Sequence, residues 1–132
     1  MTTLSFAIWL AGTIQMVIAA ANLVVAKKLD YRTNVARLTP IVGQVFAVHA
    51  VYIVLILVWF GALCLLFAQQ LATGDALARF LAGGLAGFWG LRAIVQLTLY
   101  DRQVRKEHRL QDVAFLLACA LLTGIFLTAA LH

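Results

Sequence analysis

Charge is what this sequence has least of. Charged residues make up 11% of its 132 positions, where a water-soluble domain carries about a quarter. With 64% hydrophobic residues and a mean hydropathy of +1.00, an ordinary soluble fold is excluded and an integral membrane protein is implied. The two cysteines, Cys64 and Cys119, fall at different depths of different spans, beyond the roughly 7 Å reach of a disulfide, so two free thiols are expected. No Cys-x-x-Cys, His-Glu-x-x-His or Cys-x-x-Cys-His occurs, which removes support for structural zinc, a redox pair or covalent haem. No metal site is expected, and no cofactor is named by the residues. Paired carboxylates for hydrolysis are also lacking.

What is present is a set of long apolar runs. At roughly 20 residues per crossing, the length accommodates four spans and no separate soluble domain. The sequence predicts an all-α integral membrane protein, a four-transmembrane-helix bundle forming one domain over 1–132, with spans at about 4–26, 40–68, 76–100 and 112–131. Thr39 and the single proline, Pro40, suit the start of the second span, and Asp75 suits the cap of the third. Lys27, Lys28, Arg32 and Arg37 lie between the first two spans. Arg102, Arg105, Lys106 and Arg109 lie between the last two, and only Arg79 falls on the opposite side. The positive-inside rule then predicts two short basic cytoplasmic loops and both termini outside, in a plasma membrane of the bacterial inner-membrane kind. The net charge of +5 is thereby explained by topology, without a nucleic-acid partner. Membrane lipids are the expected partners, with a homo-oligomer or a larger membrane complex as further candidates.

Polar side chains in hydrocarbon are costly, so their positions carry information. At 1.5 Å per residue from the basic ends, Asn22, Gln44 and Gln96 come out roughly 5 to 7 Å deep, and His49 and Arg92 about 12 to 13 Å. Cys119 is near that level and Gln15 slightly deeper. Helical spacing places Gly12, Gln15, Ala19 and Asn22 on one stripe, and Trp89, Arg92, Gln96 and Tyr100 on another. His49 and Tyr52 sit one turn apart, as do Cys119 and Thr123. These stripes predict a polar pocket open toward the cytoplasm, with Arg92 and His49 at its floor and Tyr100, Asp101 and Arg102 at its mouth. Candidate catalytic residues are His49 as acid/base, Arg92 as electrostatic clamp and Tyr52, or alternatively Tyr100, as proton donor; candidate ligand-binding residues are Gln15, Asn22, Gln44, Trp89, Gln96, Tyr100 and Cys119. Because side chains tilt toward the start of their helix, Arg92 is expected to lean toward the bilayer centre. No second interior histidine exists for a bis-histidine haem. Gly83-x-x-x-Gly87 is a candidate for close helix packing, and the mixed-sign run from Tyr100 to Asp112 reads as a solvated connector.

Length, orientation and the pattern Arg92, Tyr100 and Arg109 resemble the membrane-associated eicosanoid and glutathione metabolism superfamily, whose sites open between helices near the cytoplasm. The resemblance implies a distant membrane transferase. The stretch from Thr39 to His49 departs from that family's acidic and basic motif, which leaves a glutathione site with nothing to hold it. The leading expectation is a site that binds, and as an enzyme would transform, a polar-headed amphiphile such as a lipid or quinone. An accessory subunit of a membrane complex and an oligomeric channel or small transporter are the alternatives.

Overall fold

A computed structural model describes residues 2–100 and 102–132, and Asp101, expected at the pocket mouth, lies outside the described residues. The described residues are helical, with no strand among them. Four helices are long and apolar enough to cross a membrane: α1 (Thr3–Lys28), α3 (Pro40–Leu66), α5 (Ala76–Thr98) and α7 (Arg109–Leu131). The connections carry short helices, α2 (Tyr31–Ala36), α4 (Ala68–Leu71) and α6 (Arg102–Glu107).

Local chemistry sets these boundaries. Pro40 opens α3, where its missing N–H costs nothing, and the Thr39 carbonyl accepts the Gly43 N–H at 2.9 Å. Asp75 caps α5 as its position predicts, accepting the Ala78 N–H at 2.9 Å; that bond holds its carboxyl below the usual carboxylate range. The turn before it depends on Gly74, whose φ of +80° suits a residue without a Cβ. The second span ends at Leu66 rather than about residue 68, because the backbone leaves helical geometry at Phe67 before α4 begins. The last span starts at Arg109, earlier than expected. Asp112 thus falls in the first turn of α7, where exposed N–H groups favour an acid.

The chain forms two compact units. One comprises residues up to Ala11 together with Phe67–His132; the other is Gly12–Leu66. In the first, α5 and α7 pack against each other, Gly90 meeting Thr123 and Gly83 meeting Ala130, so the two helices run antiparallel. Leu85 and Trp89 from α5 and Cys119, Leu122 and Phe126 from α7 are buried. Close fit supplies the stabilisation here, since lipid tails are as apolar as these side chains and burial releases little water. At the other end of the pair, Arg79 Nε donates to the Ala130 carbonyl at 2.9 Å, satisfying one of the free carbonyls that end α7.

In the second unit, the tight approach is made by Gly12 of α1 and Gly61 of α3. A Cβ on Gly12 would stand 2.9 Å from the Cys64 Cβ and 3.0 Å from the Gly61 carbonyl oxygen. Gln15, fully buried, donates from Nε2 to the Cys64 Sγ at 3.4 Å. The glycine pair singled out by sequence is different in kind: Gly83 and Gly87 are exposed, and nothing lies within 4 Å of where a Gly87 Cβ would be. Most of α3 faces outward, with only 6% of its most apolar window buried.

Candidate functional site

Two polar centres stand out, one in each unit. The first begins at the connection after α1. Asp30 adopts a left-handed conformation (φ 50°), and the Asn34 Nδ2 holds the turn by donating to the carbonyls of Leu29 and Asp30. This turn lays α2 against the start of α3. Gly43 is buried there, with Val35 Cγ1 3.3 Å from the position of a Cβ, and Tyr31 meets Phe46 edge-on at 5.3 Å between ring centroids. The result is a groove of about 490 Å³, lined by the last turns of α1, by Tyr31 and by α3 as far as Leu55. That volume lies within the roughly 300 to 1,000 Å³ usual for small-molecule sites.

The groove is mostly hydrocarbon, including Leu23, Ala26 and Phe46, with a few polar groups set into it. Asn22, Tyr31 and His49 supply polar atoms, and Val51, Ile53, Val54 and Leu55 continue it with hydrocarbon. His49 Nδ1 lies 2.7 Å from the Val45 carbonyl oxygen. Since a carbonyl only accepts, a proton belongs on Nδ1, and a ring carrying that single proton offers a lone pair on Nε2. Asn22 spends one N–H on the Ile18 carbonyl at 2.9 Å and keeps its side-chain oxygen as an acceptor. The groove therefore presents acceptors from two spans and a phenol that can donate or accept.

The second centre joins α5, α6 and α7. Asp112, 8% exposed, is gripped by Arg105 of α6 through two bonds of 3.1 Å, Nε to Oδ1 and NH2 to Oδ2. Its Oδ1 also accepts from Gln96 Nε2 at 2.7 Å. That contact fixes the amide's direction: an ionised carboxylate cannot donate, so the amide nitrogen faces Asp112 and the amide oxygen faces Arg92. Arg92 donates to that oxygen at 3.3 Å and to the Tyr100 hydroxyl at 3.4 Å. The guanidinium carbon lies 4.7 Å from the centre of the Phe115 ring, a cation–π contact.

Arg92 does not lean toward the start of its helix as expected. Its side chain runs the other way, drawn to acceptors one and two turns further on and to the Phe115 face, since four rotatable bonds outweigh the tilt of one Cα–Cβ bond. No known family, characterised protein or solved structure matches this chain. Function must accordingly be read from these side chains.

The sequence-predicted residues divide between the units. Gln15, Asn22, Gln44, His49 and Tyr52 belong to the second, and of these Asn22 and His49 line the groove. Gln15 is committed to Cys64 beside the glycine crossing, while Gln44 and Tyr52 are exposed on α3, Tyr52 at 62%. Trp89, Arg92, Gln96, Tyr100 and Cys119 belong to the first. Three of them, Arg92, Gln96 and Tyr100, meet in the polar chain; Trp89 and Cys119 are packed core, 1% and 0% exposed. Sequence singles out neither Tyr31 nor the clasp of Arg105 with Asp112. The available signal for Asp112 is an acid at the start of an apolar span, one helical turn before Phe115 on the same stripe.

Proposed function

We propose that this chain is a polytopic membrane protein that binds a polar-headed amphiphile in the groove of α1, α2 and α3. The observation that carries the reading is the mixed lining: acceptors at Asn22 and His49 beside Tyr31, set in hydrocarbon from Leu23, Ala26 and Phe46 that continues along α3 to Leu55. The head would donate a hydrogen bond to His49 Nε2, as a hydroxyl of a quinol or a lipid alcohol does, while the tail follows α3. In this reading the basic connections face the cytoplasm, following the positive-inside rule, and both termini lie outside. Lys27, Lys28 and Arg32, all exposed beside the groove's polar end in sequence, would then meet the headgroup layer. Should the site be catalytic, His49 is the residue with acid/base capacity in the groove.

Native mass spectrometry of the protein extracted in mild detergent tests this directly. The expected result is one retained amphiphile, lost on His49→Phe, which removes the acceptor, and on Ala50→Trp, which fills the groove. Wild-type protein carrying no such ligand would overturn the reading. A second reading, a subunit of a larger membrane assembly, draws on the outward-facing surface of α3, where Gln44 and Tyr52 are polar yet exposed. Co-purifying partner chains lost on Tyr52→Leu would favour it.

A further inference from the structure

We propose that Arg92 and Tyr100 form a phosphate-binding cradle at the basic end of α5, built from none of the residues that line the groove. Arg92 carries a fixed positive charge inside a span, where an uncompensated ion is costly. Among the described residues its polar partners are neutral, an amide oxygen and a phenol, and the one ion pair in its surroundings joins Arg105 to Asp112 instead. Both carboxylate oxygens of Asp112 are bound by Arg105, so the nearby acid is already neutralised and offers Arg92 no counter-charge.

The remaining hydrogen-bonding capacity matches an anion. A guanidinium has five N–H donors, and among the described residues Arg92 uses one on Gln96 and one on Tyr100, leaving three. The Tyr100 oxygen accepts from Arg92, and among the described residues its own O–H has no recorded acceptor, so it can donate outward. Arg92 is only partly buried and Tyr100 is 46% exposed, so both can be reached. Planar, forked donors beside a hydroxyl suit the oxygens of a phosphate better than a spherical anion. The preorganisation is already in place, since Asp112 orients Gln96, Gln96 orients Arg92, and Phe115 supports the guanidinium face. The same chemistry is offered by a phospholipid headgroup and by free phosphate.

The test compares purified wild type with Arg92→Gln, Arg92→Lys and Tyr100→Phe. Retention of phosphatidylglycerol is read by native mass spectrometry, with phosphate-free diglucosyl diacylglycerol as the control lipid. The expected result is that Arg92→Gln weakens phosphatidylglycerol retention about tenfold or more, the worth of a charge-assisted pair of bonds, and Tyr100→Phe about threefold. Glycolipid retention should be equal in wild type and all three variants. If phosphatidylglycerol is not retained but inorganic phosphate raises the wild-type melting temperature and not that of Arg92→Gln, the cradle stands and its source is free phosphate. Equal phosphatidylglycerol retention by wild type and Arg92→Gln, with no response to inorganic phosphate, overturns the proposal. Should Arg92→Gln fail to fold, unchanged retention in both Arg92→Lys and Tyr100→Phe overturns it equally. The groove variant Ala50→Trp should keep phosphatidylglycerol, which separates failure here from failure of the amphiphile reading.

Discussion

Alanine substitutions at three glycines should separate in a definite order. At Gly12 the added methyl would meet the Cys64 Cβ at 2.9 Å and the Gly61 carbonyl oxygen and Leu65 Cγ at 3.0 Å each. Neither the Cβ nor the carbonyl can rotate away, so α1 and α3 must separate by roughly half an ångström to reach ordinary contact. Overpacking of this kind costs up to about 3 kcal/mol. The gain in helix propensity from glycine to alanine returns about 1 kcal/mol, so Gly12→Ala should lose up to about 2 kcal/mol net by the same two rules. At Gly61 the nearest atom is the Met16 Cγ, part of a flexible side chain, and the penalty should be smaller. At Gly87 nothing lies within 4 Å, so Gly87→Ala should be neutral or stabilising by up to about 1 kcal/mol. Equilibrium unfolding in mixed micelles, followed by circular dichroism, measures all three. The reasoning fails if Gly87→Ala is destabilised as much as Gly12→Ala, or if Gly12→Ala matches wild type.

Two further outcomes follow from the connections. The Asp75 carboxyl is held below the usual range by the Ala78 N–H, so its folded pKa lies beneath its unfolded one and its stabilisation is present above the unfolded value. Asp75→Ala should therefore lower the unfolding midpoint at neutral pH, and the gap from wild type should close as pH falls through the folded pKa; a gap that persists in acid would refute this. Asp112→Asn should loosen the clasp on α6 and speed tryptic cleavage after Arg102, Arg105 or Lys106 by about tenfold, read by peptide mapping. Unchanged cleavage would show that Arg105 does not hold α6.

The four long helices were legible in sequence because hydropathy over some 20 residues is a strong signal and because Pro40 and Asp75 mark helix starts by their own chemistry. Side-chain partnerships were less so. Periodicity correctly aligns Arg92 with Gln96 and Tyr100, but it gives no direction along the stripe, and the direction comes from Phe115 and Asp112 on another helix. Gly12 and Gly83 are equally small in sequence, and only the opposing surface distinguishes them: Gly61 and Cys64 press on Gly12, whereas Gly83 has just an Ala130 methyl at 3.9 Å. Asp112 belongs by composition to a charged connector, and its burial follows from α7 starting a turn early and Arg105 folding back onto it.

The glycine crossing of α1 and α3 and the groove beside Asn22 belong to the same pair of helices, ten residues or about 15 Å apart along α1. Two rods held at one point behave as shears: a small separation at the fulcrum becomes a change of gape at the far end. The spacing of α1 and α3 along the groove thus depends on residues outside its lining, and a substitution at Gly12 or Gly61 that parts the two helices would alter the groove's width without any change to the lining itself.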